Sequence, residues 1–311
     1  MVRILTDEEV SRVLTMADAV AAMRGALAAR AGGQLVSPPR GGFTAGGVGL
    51  RWTPGALGGH VGLRLYMTGV ERGDQLTALW RADGTLRAIA IGPTLGRLRT
   101  GAIGGVALDV MARPDAHVLG IIGFGAQGWM QLEAALAVRP IQRVWVYRRD
   151  AGRLAADAAE ATRRFGVPVE PAPSAEHAAR AADMLVTATR AAEPVVRASW
   201  LAPGVHVNAL GPKAHGAQEI GLDLVERAAL LASDVPEQYQ GEPDFLLHGT
   251  GHIERIRDLA AVMAAAPPRE PSAVTLFLSH GLPGTEVALL ARAAEVAEAD
   301  GVGAVLDDAA W

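Results

Sequence analysis

The sequence predicts an α/β protein, a Rossmann-type doubly wound parallel sheet joined to a smaller α+β domain. Three observations predict it. After Pro114, apolar runs alternate with helical stretches ("HVLGIIGFG", "AQGWMQLEAALAV", "RVWVYRR", "DAGRLAADAAEATRRFG"), the pattern of a parallel sheet covered on both faces. Before Pro114, short strand-like runs are separated by Gly-, Pro- and Asp-containing turns, which suits an antiparallel sheet. The first strand of the alternating half runs directly into Gly123-Phe124-Gly125-Ala126-Gln127-Gly128 and a helix, the context in which a glycine-rich turn binds a dinucleotide.

The opening stretch reads as a helix, with Thr6 and Glu9 as a capping box and apolar residues at helical spacing through Leu27. "GGQLVSPPRGGFTAGG" breaks it with Gly and Pro. "VGLRW", "HVGLRLYM", "LTALWRA" and "LRAIAIG" then read as strands. "RLRTGAIGGVALDVMAR" reads as a helix packed closely through small residues, ending before Pro114, where the first domain (1–113) gives way to the second (114–286). In the second domain "VPVEPA", "MLVTAT" and "VHVNALG" are further strands, and "SAEHAARAA" is a helix capped by Ser174. The last long helix, "GTEVALLARAAEVAEADG", could pack on either domain.

Composition narrows the functional class. A chain of 311 residues, half of them hydrophobic, can bury one large core or two ordinary ones. The formal net charge of -4 gives no reason to expect nucleic acid or an anionic membrane as partner. There are no cysteines, so disulfides, thiol nucleophiles and thiolate metal sites are excluded. Acids and arginines interrupt the apolar runs near the N-terminus, and no apolar stretch is long enough to span a bilayer, which reads as a cytoplasmic protein. Eight histidines without metal-ligand spacing predict no metal site.

The glycine-rich turn carries the cofactor expectation. Gly123 permits the tight turn and Gly125 lets the backbone approach a pyrophosphate. The helix opening at Ala126 and Gln127 then aims its unpaired N–H groups at that phosphate. At the end of the next strand, "VYRRD" places Arg148 and Arg149 where a ribose-binding acid is common, which favours the 2′-phosphate of NADP. Asp150 could still accept from a ribose hydroxyl, so NAD stays open.

Several stretches taken together resemble the ornithine cyclodeaminase and mu-crystallin family: "SPPRGG", "GLRLY", "RLRTGAIGG", "GIIGFGAQG", "VNALGPKAHGAQEI", "ASDVPEQ" and "SHGLPGTEVALLARAAEVAEADGVG". "RTGA" followed shortly by "GxGAQ" is more specific than either alone. The resemblance implies a homodimer whose subunits each pair a Rossmann domain with a substrate and dimerisation domain, to which the C-terminal segment (287–311) returns. It implies that Arg40 and Arg99 bind a substrate carboxylate and that Thr100 lies beside the cofactor phosphates. It also implies that Thr189 contacts the cofactor and that Leu210 and Gly211 lie near the nicotinamide. Two positions depart from the family pattern: Arg64 stands where the family has a catalytic lysine, and Lys213 where it has a catalytic aspartate. Arginine keeps its proton, with a pKa above about 12, and a lysine cannot replace a carboxylate that deprotonates an amine.

The functional expectation is therefore an NADP-dependent oxidoreductase that reduces the C=N bond of a small carboxylate-bearing imine. Lys213, its pKa lowered by neighbouring cations, would be the proton donor. Two alternatives are an amino acid cyclodeaminase that recycles its bound cofactor and a non-catalytic NADP-binding protein. Arg64, in an apolar strand, needs a ligand or an acidic partner, and the ligand is favoured. Arg40, Arg64, Arg99 and Lys213 around one pocket would call for a second anionic group on the substrate, unless Glu219 or another acid restores the balance.

Overall fold

In the computed structural model, which describes residues 1–71 and 73–306, the chain opens on a strand rather than a helix, β1 (Val2–Leu5). Thr6 then caps α1 (Asp7–Val13) in the capping box expected with Glu9. The helical run expected through Leu27 is broken at Leu14. A second box, in which Thr15 accepts from Asp18 N–H and Asp18 accepts in return, starts α2 (Met16–Ala31). Periodicity alone could not see this break, because apolar residues continue across it.

The segment read as a Gly/Pro break contains β2 (Gly41–Ala45), followed by β3 (Val48–Leu57), β4 (His60–Thr68), β5 (Gln75–Arg81) and β6 (Leu86–Ile91). Neighbours from β2 to β6 pair antiparallel, while β1 joins β6 in parallel. The pleat divides the sheet into two faces. Thr53, Gly62, Arg64, Thr77, Leu79 and Ala90 share one. Leu50, Trp52, Val61, Leu65, Met67 and Ile91 share the other.

Helix α3 (Thr94–Met111) begins three residues earlier than expected, where Asp7 accepts from the Thr94 N–H at 2.7 Å. Arg99 consequently sits in its second turn, not at its start. The chain divides into two compact units inside α3, at Ala102/Ile103, rather than at Pro114.

The second unit, Ile103–Gly281, alternates strand and helix: β7 (Val118–Ile122), α4 (Ala126–Val138), β8 (Arg143–Tyr147), α5 (Leu154–Phe165), β9 (Val169–Pro171), α6 (Ala175–Ala181), β10 (Met184–Thr187) and β11 (His206–Ala209). A small hairpin, β12 (Lys213–Ala214) with β13 (Ala217–Gln218), follows. Then come α7 (Leu222–Arg227), β14 (Leu230–Ser233), α8 (Pro236–Gln240), β15 (Ile256–Asp258), α9 (Leu259–Ala264) and β16 (Thr275–Leu278). The eight-stranded sheet is ordered β15-β14-β16-β11-β10-β7-β8-β9, every neighbour parallel, with the topological switch between β7 and β10.

Two cores cover its faces. Leu119, Ile121, Val144 and Val186 pack with Leu132 of α4 and Ala158 of α5. Leu185, Val207, Leu231 and Leu276 pack with Ala178 of α6 and Leu224 of α7. Burying strands on both faces explains their near-continuous apolar sequences.

From Leu282 the chain belongs again to the first unit, as α10 (Thr285–Asp300) and β17 (Ala304–Leu306). The return begins at Leu282 rather than residue 287, and the stretch 307–311 of the expected return lies outside the described residues. β17 pairs antiparallel with β1, and α10 lies on β3 to β6. Gly55 lets it in: a Cβ there would lie 2.3 Å from the Gly284 Cα.

Candidate active site

Gly123, at the end of β7, has φ 101°, and a Cβ there would lie 2.4 Å from the Ala188 carbonyl oxygen. Only glycine makes this turn. Gly128 lets the first turn of α4 close on it, since a Cβ would fall 2.5 Å from the Gly123 carbonyl oxygen. Gly125 differs from both. A Cβ there meets nothing within 4 Å, so the fold itself does not require a glycine. It is the N-cap of α4 and offers no side chain to the helix N–H groups, which leaves them to a phosphate. The turn therefore fits the pyrophosphate of a dinucleotide, with Ala126 and Gln127 opening the helix.

Beside the turn, at the carboxyl ends of β7, β8 and β10, lies a cleft of about 220 Å³. Its walls include Gly123, Arg148, Arg149, Thr189 and a third arginine, Arg190. Arg190 was not singled out from sequence, because "TATR" gives no sign that the arginine follows a strand adjacent to β7. Asp150 does not line the cleft. Its carboxylate caps the turn at Gly152 and lies 3.8 Å from Arg148.

Glu219, fully buried, organises the same end of the sheet. It accepts from the Thr187 hydroxyl at 2.8 Å, from the Thr189 N–H and hydroxyl at 2.9 Å each, and from the Gly211 N–H. Four donors satisfy the carboxylate and fix the loops carrying Thr189, Leu210 and Gly211. Sequence reasoning considered Glu219 only as a partner for Lys213.

Lys213, at the start of the β12–β13 hairpin, is 9% exposed. Its Nζ donates to the carbonyl oxygens of Gly211 at 2.7 Å and Ser279 at 2.9 Å. Burial lowers its pKa from the ordinary lysine value, while the charges of Glu219, Asp234 and Glu242 oppose the shift. The expected cause, neighbouring cations, is replaced by desolvation. Asp234 is held by the N–H groups of His280 and Gly281 at 2.9 Å each. His280 pairs with Glu242 at 3.0 Å and His215 is exposed on the hairpin turn.

In the first unit Arg40, Arg64 and Arg99 gather around Glu286, the second residue of α10, which is 1% exposed. Glu286 Oε1 accepts from Arg99 Nε at 3.0 Å and from Arg64 NH1 at 3.4 Å. Burial pushes its carboxyl pKa up, but Arg99, Arg64 and, least, Arg40 outweigh that and hold it below the usual range. Arg64 also donates to Gln75 Oε1 through Nε at 3.2 Å and NH2 at 2.6 Å, and lies over the Tyr66 ring. All three of its nitrogens are engaged internally, so the acidic partner, not the favoured ligand, accounts for its burial. The expected need for a second anionic group on the substrate loses its ground, because Arg64 and Lys213 both have partners in the protein.

Arg99, its side chain 8% exposed, uses only Nε. Its two terminal nitrogens have no hydrogen-bond partner among the described residues, which leaves the planar edge that pairs with a carboxylate. Arg40, half-buried, directly precedes β2. The Thr100 hydroxyl donates to the Gly96 carbonyl at 2.8 Å.

Known proteins share this fold. Over 99% of both chains, an archaeal alanine dehydrogenase dimer with bound NAD superposes at TM-score 0.89 with 28% identity. Thermococcus litoralis Δ1-pyrroline-2-carboxylate reductase, solved with NADH and L-proline, gives TM-score 0.90 with 25% identity over 98% of this chain and 100% of its own. A lysine cyclodeaminase gives TM-score 0.83 with 30% identity over 97% of this chain and 94% of its own. The sequence profile of the ornithine cyclodeaminase/mu-crystallin family matches residues 2–300, and since that takes in the parallel sheet, all of the first sheet but β17, the glycine-rich turn and the arginine cluster, the chain belongs to that family.

Proposed function

We propose that the protein is an NADP(H)-dependent oxidoreductase that reduces the C=N bond of a small imine bearing a carboxylate. The observation that carries this reading is Lys213: a buried amine, not a carboxylate, follows β11 at the carboxyl edge of a sheet whose glycine-rich turn fits a dinucleotide. Relatives that bind NAD or NADH and act on amino or imino acids support it.

Arg99, with Arg40, holds the substrate carboxylate, and Glu286 and Arg64 hold Arg99 in place. The turn at Gly123–Gly128, Thr189 and the Leu210–Gly211 strand end hold the dinucleotide, whose nicotinamide supplies the hydride when bound. Lys213 keeps a proton on Nζ for the substrate nitrogen, and its two carbonyl partners fix where that proton points. The first unit serves substrate binding and dimerisation, the second the dinucleotide. The working form is a homodimer, as in the alanine dehydrogenase relative. The outer sheet face, with Phe43 57%, Val61 51% and Ile91 47% exposed, supports a second copy as its cover.

The second reading, cyclodeamination, is favoured by the 30% identity to lysine cyclodeaminase. One experiment separates the two. NADPH oxidation and ammonia release are followed with cyclic imino acids, with pyruvate plus amines, and with ornithine and lysine. Net NADPH consumption with an imine is expected. Ammonia released from a diamino acid with no net change in cofactor would overturn the reductase.

A further inference from the structure

The three arginines of the cleft beside the glycine-rich turn are not equivalent. Arg148 NH1 lies 2.9 Å from Asp157 Oδ2 and donates to the Phe124 carbonyl at 3.4 Å, while NH2 lies 3.8 Å from Asp150. Its charge is already matched by the protein, and its bond to Phe124 braces the turn itself. Arg149 and Arg190 are exposed and form no hydrogen bond or ion pair among the described residues. They approach the cleft from different places, Arg149 from just past β8 and Arg190 from the loop after β10. No carboxylate lines the cleft among the described residues, so no negative side chain there would repel a phosphate.

We infer that Arg149 and Arg190 together form the receptor for the 2′-phosphate of NADP(H), and that Arg148 is a positioning residue for the turn. The inference rests on the dinucleotide reading above and names which residues decide between its two forms. The guanidinium fork matches phosphate oxygens in two-point contacts, and two forks from separate strand ends enclose a phosphate from two sides. Neither has an internal bond to give up when it turns to the ligand. Arg148 would have to leave Asp157 unpaired.

The test is equilibrium binding of NADPH and NADH to the full-length protein, followed by nicotinamide fluorescence. Adenosine 2′,5′-bisphosphate and 5′-AMP serve as competing fragments. Arg149→Ala and Arg190→Ala should each weaken NADPH and the bisphosphate roughly tenfold, as expected for one charge-assisted contact, with NADH and 5′-AMP nearly unchanged. Arg148→Ala should weaken both dinucleotides alike. The inference is overturned if Arg190→Ala leaves the NADPH to NADH ratio unchanged, or if only Arg148→Ala collapses it. Wild-type protein that binds both dinucleotides equally would also overturn it while leaving the dinucleotide reading intact. Protein that binds neither would overturn both.

Discussion

Glu286 shows how a single buried carboxylate can change the reading of its neighbours. From sequence, Arg64 and Arg99 look like an excess of positive charge awaiting a ligand. In the fold, α10 carries a compensating acid to them from far along the chain. Glu286→Gln should therefore leave two guanidiniums facing each other, and urea denaturation should show a loss of about 3 kcal/mol. The ionised carboxylate stabilises the protein at neutral pH, and that contribution is lost as pH falls through its depressed pKa. Wild type and variant should thus converge in stability in strong acid. Lys213 makes the opposite kind of prediction. Burial lowers its pKa, so a reductase that needs its proton should slow as pH rises through a value below that of an ordinary lysine. Lys213→Met should remove that alkaline limb from the pH–rate profile and lower kcat by about a hundredfold or more, with NADPH affinity intact. The residue types at these positions were legible in the sequence. Their partners were not, because the pairing of Arg99 with Glu286 spans 187 positions that no local pattern connects.

At the scale of elements, the glycine-rich turn was legible in full, since strand, turn and helix are contiguous. Its three glycines now separate by role. Gly123→Ala meets both a positive φ and the Ala188 carbonyl, and should destabilise the protein by about 2–3 kcal/mol. Gly125→Ala meets open space and should leave the melting temperature almost unchanged while weakening both dinucleotides. If Gly125→Ala binds them normally, the turn does not hold the pyrophosphate. Less legible were the strands after β11, where short apolar runs sit among loops, and the break between α1 and α2, where apolar spacing persists. A buried network ties β11 and β16 to α3. His206 lies 2.8 Å from both Thr275 Oγ1 and Asn208 Oδ1, Asn208 donates to the Gly104 carbonyl, and Thr275 donates to that of Met111. Burial pushes the His206 pKa down to about 3. The unfolded chain takes up its proton near pH 6.5 while the native ring stays neutral, so stability falls as pH drops through this window. The slope is about 1.4 kcal/mol per pH unit. His206→Gln should flatten the stability curve between those limits, and an unchanged slope would mean the ring charges without unfolding.

For the whole molecule, the apolar face of the first sheet is the feature that a single copy leaves unsatisfied. If the proposed homodimer forms through this face, Val61→Lys with Met67→Lys should convert it to a monomer in sedimentation, since both side chains stand on the face opposite α10. An unchanged sedimentation coefficient would place the interface elsewhere. No helix among the described residues is long and apolar enough to cross a membrane. The division into an antiparallel-rich and a parallel unit was legible because the two sheet types write different patterns, but its position inside α3 was not, since one helix is continuous through it. The return of α10 to the first unit also sets an order in time. During synthesis β1 to β6 emerge first, yet Leu79, Thr53 and Arg64 stay uncovered until α10 has been made, and α10 follows the entire second unit. The part of the chain translated earliest is thus completed last. A nascent chain stalled before Leu282 should hold a protease-resistant second unit beside a first unit that is still open to cleavage and to chaperones.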